Sequence, residues 1–105
     1  MTTHELINAL EREYDRDTGS LGLLRDGIMD LTALSRLQSL LEEAKKHSSN
    51  NVLPKRMVSL LWYIPLFMTW QEERVRERAG DDVVEQLKLL NNQILGALDE
   101  ILGVP

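Results

Sequence analysis

The chain has 105 residues, of which 43% are hydrophobic and 28% charged, and it contains no cysteine. This length predicts one domain with a real core, and the absence of cysteine excludes disulfides and thiolate metal sites. The net charge of −5 argues against direct binding of nucleic acid, because proteins that bind DNA or RNA usually present a basic face. We therefore expect a single helical domain over residues 1–105.

The charge is unevenly distributed along the chain. Residues 1–22 contain five acids against two bases, and residues 81–105 contain five against one, whereas residues 51–80 contain three acids against five bases. Clustered carboxylates steer basic proteins toward a surface, so we expect a basic protein partner. The most apolar stretch, residues 57–70, is shorter than the about 20 residues of a membrane span, and the first residues lack a secretory signal. We expect no membrane partner and a cytoplasmic location.

Amphipathic periodicity predicts helices along the chain and gives no strand pattern. Thr2 and Glu5 form a capping box that opens the first helix, which should end near residues 15–19, where acids and glycine favour a turn. Residues 20–47 hold either one bent helix or two, with Ser20 and Asp30 as suitable N-caps. A loop follows over residues 47–51, which are rich in serine and asparagine.

The fourth helix, over residues 54–79, is apolar on nearly every side in its first half, so we expect it to be the central element. Pro65 predicts a kink or break there, because proline has no N–H and its ring clashes with the preceding turn. Glu72 and Arg76 stand four residues apart and predict an ion pair. Gly80 is placed to end this helix with a positive φ.

A fifth helix is predicted from a capping box of Asp82 and Glu85 to Leu102. Asn91 falls within its apolar face, and we expect it to bond to a neighbouring helix, because an unpaired buried amide costs about 1–3 kcal/mol. Leu89 projects onto the polar side. These segments together predict an all-α bundle of four or five helices whose central apolar helix is kinked at Pro65.

The residue patterns that catalysis and metal binding need are missing from the sequence. The two histidines, His4 and His47, belong to different helices, and the chain has no nucleophile motif. The spacing of residues 15–26 matches an EF-hand loop only in part, since Gly19 and Ser20 stand where an oxygen ligand and a glycine are required. We predict that the chain is not an enzyme and that it uses no metal and no cofactor.

Four of the five aromatic residues lie close together in the fourth helix, namely Trp62, Tyr63, Phe67 and Trp70. Two interpretations remain open. The one we favour places these side chains in the core, and the other makes them an interface, since Trp and Tyr are common anchors of protein partners.

In size, charge and helical character the chain is similar to small acidic inhibitors such as immunity proteins and antitoxins. Such a protein would block a basic toxin or effector domain with carboxylates and a few apolar anchors. The candidate contacts are Glu11, Glu13, Asp15, Asp17, Asp81, Asp82, Glu85 and Leu89. The alternative is a helical adaptor or homo-oligomeric structural protein, such as a homodimer, that pairs through the apolar face of residues 83–101.

Overall fold

Six helices follow one another in the computed structural model, which describes residues 1–49 and 52–105. They are α1 (Thr3–Arg12), α2 (Ser20–Leu24), α3 (Leu31–Ser48), α4 (Lys55–Trp70), α5 (Glu72–Ala79) and α6 (Asp81–Leu102). The described residues contain no strand, which confirms the all-α prediction, but the number of helices is six rather than four or five. Two residues of the predicted loop, Asn50 and Asn51, lie outside the described residues.

The predicted fourth helix is divided in two at Gln71. Its first part, α4, continues through Pro65 without a break and ends at Trp70. At Gln71 the backbone N–H donates to Met68 O at 3.2 Å, which tightens the last turn before α5 begins at Glu72. The break is therefore six residues beyond the proline, and a kink at Pro65 stays a prediction.

Local signals predicted two of the helix starts correctly. In the capping box of α1, the Glu5 N–H donates to Thr2 Oγ1 and the Thr2 N–H donates to Glu5 Oε1. At the start of α3, Asp30 Oδ1 accepts the Ala33 N–H at 3.1 Å, so residues 20–47 hold two helices. These caps were predictable because each involves only residues three positions apart.

Two other predicted caps are wrong because a glycine occupies the position. Gly19 is the N-cap of α2, so Ser20 is the first helical residue rather than the cap. Gly80 has a φ of +94°, as predicted, but it is also the N-cap of α6. The helix therefore begins two residues earlier than predicted, and Asp82 and Glu85 form no capping box.

Four helices form a closed ring around the core. Both α1 and α6 pack on α3 and α4, while α2 packs on α3 and α4 and α5 packs on α4 and α6. Helices α3 and α6 run parallel, since Gln38 contacts Gln93, and Lys45 contacts Glu100 seven residues further along both helices. The core lies inside this ring, and each fully buried leucine stabilises it by about 1.5–3 kcal/mol.

The apolar face of α6 is already used inside the ring. Its buried side chains are Val84, Leu87, Asn91, Ile94, Leu98 and Ile101. The proposed pairing of two copies through residues 83–101 therefore needs correction, because this face packs on α3, α4 and α5 of the same chain. Among the described residues, no helix has both the length and the apolar character needed to cross a membrane.

Candidate protein-binding face

Four large apolar side chains are exposed on one side of α4. Trp62, Tyr63, Leu66 and Trp70 are 49%, 37%, 39% and 58% exposed, and we call these four residues the aromatic face. At 3.6 residues per turn they fall within an arc of about 100°. The opposite side of the helix is buried and carries Met57, Leu61, Ile64 and Met68. Contiguous exposed apolar side chains of this kind mark interaction sites.

The rings of the aromatic face are held by contacts with one another. Tyr63 lies edge-on to Trp62 at 5.9 Å and to Trp70 at 5.6 Å between ring centroids. Tyr63 also contacts Tyr14, in the turn after α1, at 6.3 Å, and Tyr14 lies edge-on to Phe67 at 5.7 Å. The five aromatic residues of the chain thus form one connected cluster. Edge-to-face contacts of this kind contribute about 0.5–1.5 kcal/mol beyond burial, so they limit the freedom of the rings.

The cluster is fixed to the core at Phe67 and Tyr14. Phe67 is only 3% exposed, so the prediction of a core position is correct for this ring and wrong for Trp62, Tyr63 and Trp70. The Tyr14 hydroxyl donates to Leu60 O at 2.7 Å, which joins the turn after α1 to α4. Burial, and to a smaller extent the nearby Tyr63, raises the pKa of Tyr14, which keeps this hydroxyl protonated as a donor.

A cleft of about 330 Å³ separates α1 from α4 beside the aromatic face. It is lined by Glu11, Tyr14, Arg56, Ser59, Leu60, Trp62 and Tyr63. Arg56 Nε and Glu11 Oε1 lie 3.6 Å apart, and both side chains are well exposed. The cleft therefore combines aromatic walls with one cation and one carboxylate, a lining that suits an amphipathic side chain.

Of the acidic residues predicted to contact a partner, Glu13 is buried, with 2% of its surface exposed. Its Oε2 accepts from Arg36 Nε at 2.6 Å, and its Oε1 accepts from Arg36 Nη2 and from the Ser20 N–H, each at 3.1 Å. Both carboxylate oxygens are thus engaged within the chain. We correct the prediction for this residue: Glu13 joins α1, α2 and α3 and has no surface to offer a partner.

Asp15 is exposed, yet its carboxylate organises the turn after α1. One oxygen, Oδ1, accepts from the Asp17 N–H at 2.9 Å, the Thr18 N–H at 3.0 Å and the Thr18 hydroxyl at 3.1 Å. The hydrogen bond from the Asp17 N–H, followed by those from Thr18, lowers the pKa of Asp15. The neighbouring Asp17 and Glu11 side chains are exposed as well, and all three remain candidates for partner contacts.

The second acidic group lies at the start of α6. Asp81 is exposed but paired with Arg76 at 2.8 Å, and Arg76 also contacts Glu73. This arrangement replaces the predicted pair between Glu72 and Arg76. Asp82 and Glu85 are exposed, and Leu89 is 64% exposed, as its projection predicted. Within the described residues, no hydrogen bond or ion pair links this group to the carboxylates of residues 11–17.

One arginine, Arg25, lies over a ring of the aromatic cluster, and Arg74 and Arg78 share a surface cleft with it. None of the three was identified from the sequence. The Arg25 guanidinium lies 5.2 Å from the centroid of the Phe67 ring. Arg74 donates to Arg25 O at 2.8 Å, and Arg78 donates to Asp26 O at 3.4 Å. Because these partners are about 50 residues away in the chain, no local pattern could have predicted them.

In residues 1–49 and 52–105, no group of three or more His, Cys, Asp or Glu side chains is placed to hold a metal ion. No protein-family model, no curated protein and no solved structure matches this chain.

Proposed function

We propose that this chain is a small protein-binding protein that holds its partner on the aromatic face. The observation that carries this proposal is the exposure of Trp62, Tyr63 and Trp70 side by side on one helix. A single exposed apolar residue is ordinary, but three aromatic rings and a leucine together leave a large apolar area in water. Trp and Tyr are also the residues that most often dominate the binding energy of protein interfaces.

The arrangement of the rings favours tight binding. Tyr63 contacts both tryptophans, and it is linked through Tyr14 to the buried Phe67. A partner therefore meets side chains that already have limited freedom, and binding costs less conformational entropy than it would with mobile side chains. The cleft between α1 and α4 adds a concave site for one side chain of the partner.

A finer form of this proposal is an immunity or antitoxin-type inhibitor that blocks a basic toxin or effector domain. Size and acidic composition support it. With Glu13 buried in the fold, the exposed carboxylates left to contact such a partner are Glu11, Asp15, Asp17, Asp81, Asp82 and Glu85. An adaptor remains the alternative, but it would have to assemble through a surface other than the apolar face of residues 83–101, which is buried.

The proposal is tested by capturing the partner from the native host with the tagged chain and measuring its affinity for variants. Truncating residues that dominate an interface costs about 2 kcal/mol or more each. The double variant Trp62→Ala/Trp70→Ala should therefore bind at least about 100-fold more weakly, with an unchanged circular dichroism spectrum. Leu31→Ala is the matched control, since Leu31 is 65% exposed on α3, away from the aromatic face, and it should bind within twofold of wild type. Equal binding by the double variant contradicts the proposal.

Association rates measured with the same partner distinguish the inhibitor form of the proposal from the adaptor alternative. If carboxylates steer a basic partner, Asp82→Lys/Glu85→Lys should associate with it more slowly than the wild-type chain does. Added salt should slow association of the wild-type chain, because exposed charges are screened beyond about 8 Å at 0.15 M ionic strength. An association rate that is independent of salt excludes the inhibitor form and leaves binding at the aromatic face intact.

A further inference from the structure

We infer that the aromatic face pairs with the same face of a second copy of this chain, with the two α4 helices antiparallel. This inference rests on the proposed function, because it names the partner that the same face binds. It follows from the order of the side chains along the exposed side of α4 and α5, from the charges beside them and from the area that they leave in water.

The exposed side of α4 continues into α5 with the same helical phase. Val75 of α5 is fully buried and stands seven residues after Met68, the last buried residue of α4. Seven residues complete nearly two turns, so the buried sides of the two helices are in line, and both helices pack on α6. The opposite side therefore forms one stripe of residues spaced three or four apart, namely Lys55, Ser59, Trp62, Leu66, Trp70, Glu73 and Glu77.

The stripe is arranged symmetrically about Leu66. Trp62 and Trp70 stand four residues before and after it, and the charged residues Lys55 and Glu77 stand eleven residues before and after it. When two copies lie antiparallel with Leu66 at the two-fold axis, Trp62 of each copy is level with Trp70 of the other. Lys55 of each copy is then level with Glu77 of the other. The stripe is thus self-complementary, as a two-fold interface requires.

The charges at the ends of the stripe favour antiparallel over parallel pairing. Lys55 and Glu77 are exposed, and among the described residues neither forms an ion pair. Antiparallel pairing gives each of them an opposite charge, whereas parallel pairing places like charges together at both ends. The neighbouring Arg74 and Arg78 are turned toward the end of α2, where they donate to backbone carbonyl groups.

The surroundings of the aromatic face carry little net charge, although the chain is acidic. Beyond Trp70, three arginines and three carboxylates share one surface cleft, and at the other end Arg56 lies 3.6 Å from Glu11. The excess of acid that gives the chain its charge of −5 lies in residues 1–22 and 81–105. Electrostatic repulsion between two acidic copies is therefore weak across this face, which does not select a partner of either sign.

The exposed apolar area suits a dimer of ordinary size. Aromatic side chains present about 150–250 Å² each, so the three partly exposed rings and Leu66 leave roughly 400 Å² of apolar surface in water. A standard interface buries about 800 Å² per partner, of which a little more than half is apolar. The aromatic face supplies about that apolar share, and the polar ends of the stripe supply the remainder.

Light scattering after size exclusion, over a wide range of concentrations, tests the pairing. The mass should rise from the 12.0 kDa of the chain toward twice that value as the concentration increases. Trp62→Ala/Trp70→Ala should raise the dimer dissociation constant at least about 100-fold, with an unchanged circular dichroism spectrum. Leu89→Ala is the matched control, since Leu89 is 64% exposed on the side of α6 opposite its buried residues, and it should dimerise within twofold of wild type.

Exchange of the two end charges tests the antiparallel register. Lys55→Glu and Glu77→Lys should each raise the dimer dissociation constant at least about 10-fold, because each variant places like charges together twice. Lys55→Glu/Glu77→Lys restores opposite charges at both ends, so this variant should regain dimerisation close to that of wild type. Both residues are exposed, so this test does not depend on the stability of the tryptophan variant.

Three results would overturn the inference: a mass of 12.0 kDa at every concentration, dimerisation of Trp62→Ala/Trp70→Ala equal to that of wild type, or no recovery in the charge-exchanged variant. Its failure is separable from that of the proposed function. A chain that stays monomeric, and whose captured partner loses affinity for the double tryptophan variant, refutes only the second copy as the occupant. If the captured partner also binds that variant normally, the proposed function fails as well.

Discussion

The turn between α1 and α2 and the aromatic face of α4 use their side chains in opposite ways. In the turn, Glu13 and Asp15 bind backbone N–H groups, and Glu13 also binds an arginine of the same chain. On the aromatic face, Trp62 and Trp70 lie edge-on to Tyr63 and remain about half exposed. The two carboxylates of the turn are thus engaged in the fold, whereas the two tryptophans of α4 are left partly exposed.

The difference follows from the groups that lie near the carboxylates of the turn and near the rings of α4. A turn and a short helix leave backbone N–H groups without partners, and a carboxylate that accepts them removes a cost of about 1–3 kcal/mol for each buried donor. The rings of α4 have no comparable local use. They are buried only where another helix covers them, and the neighbours of α4, namely α1, α2, α5 and α6, leave one side of it open.

The largest expected effect on stability separates the buried ring of the cluster from an exposed one. Phe67→Ala should reduce the free energy of unfolding by about 3–5 kcal/mol, because it leaves a cavity in the core. Trp70→Ala should reduce it by less than about 1 kcal/mol, since the side chain is 58% exposed. Urea unfolding followed by circular dichroism measures both. Similar losses in the two variants would mean that the aromatic face belongs to the core.

A smaller effect distinguishes two acids that are two residues apart. Glu13→Ala should cost about 2–3 kcal/mol, because it removes the partner of Arg36 and leaves the buried Ser20 N–H unpaired. Glu11→Ala should change stability by no more than about 0.5 kcal/mol, since its ion pair with Arg56 is exposed. The same unfolding experiment measures both variants. If Glu13→Ala were as stable as wild type, Glu13 would return to the set of candidate surface contacts.

The smallest expected effect depends on pH and concerns Asp15. Hydrogen bonds hold the pKa of Asp15 below its ordinary value in the folded chain, so its contribution to stability is present above about pH 4 and is lost as the pH falls through the lowered pKa. Asp15→Ala should therefore be less stable than wild type at pH 7, and the difference should shrink in acid. The Asp17 carboxylate accepts no hydrogen bond among the described residues, so Asp17→Ala should match wild type at pH 7. Urea midpoints at pH 7 and pH 3 test this, and a difference independent of pH would contradict it.

The sequence by itself determined the features that depend on residues close together in the chain. The all-α class, the caps at Thr2 and Asp30, the positive φ of Gly80 and the exposure of Leu89 all follow from spacing of a few residues. The bond of Asn91 to a neighbouring helix was also predictable, because a buried amide requires a partner. The identity of that partner, Pro65 O and Thr69 Oγ1 of α4, was not.

Only the tertiary structure decided which side of α4 is left uncovered and which carboxylate is buried. A helix that is apolar on nearly every side gives no sign of where its neighbours lie, so Phe67 and Trp70 look equivalent in the sequence. Likewise Glu13 differs from Glu11 because Arg36, 23 residues away, and the Ser20 N–H both bind its carboxylate. Both outcomes depend on contacts between distant parts of the chain, which local periodicity and residue type do not encode.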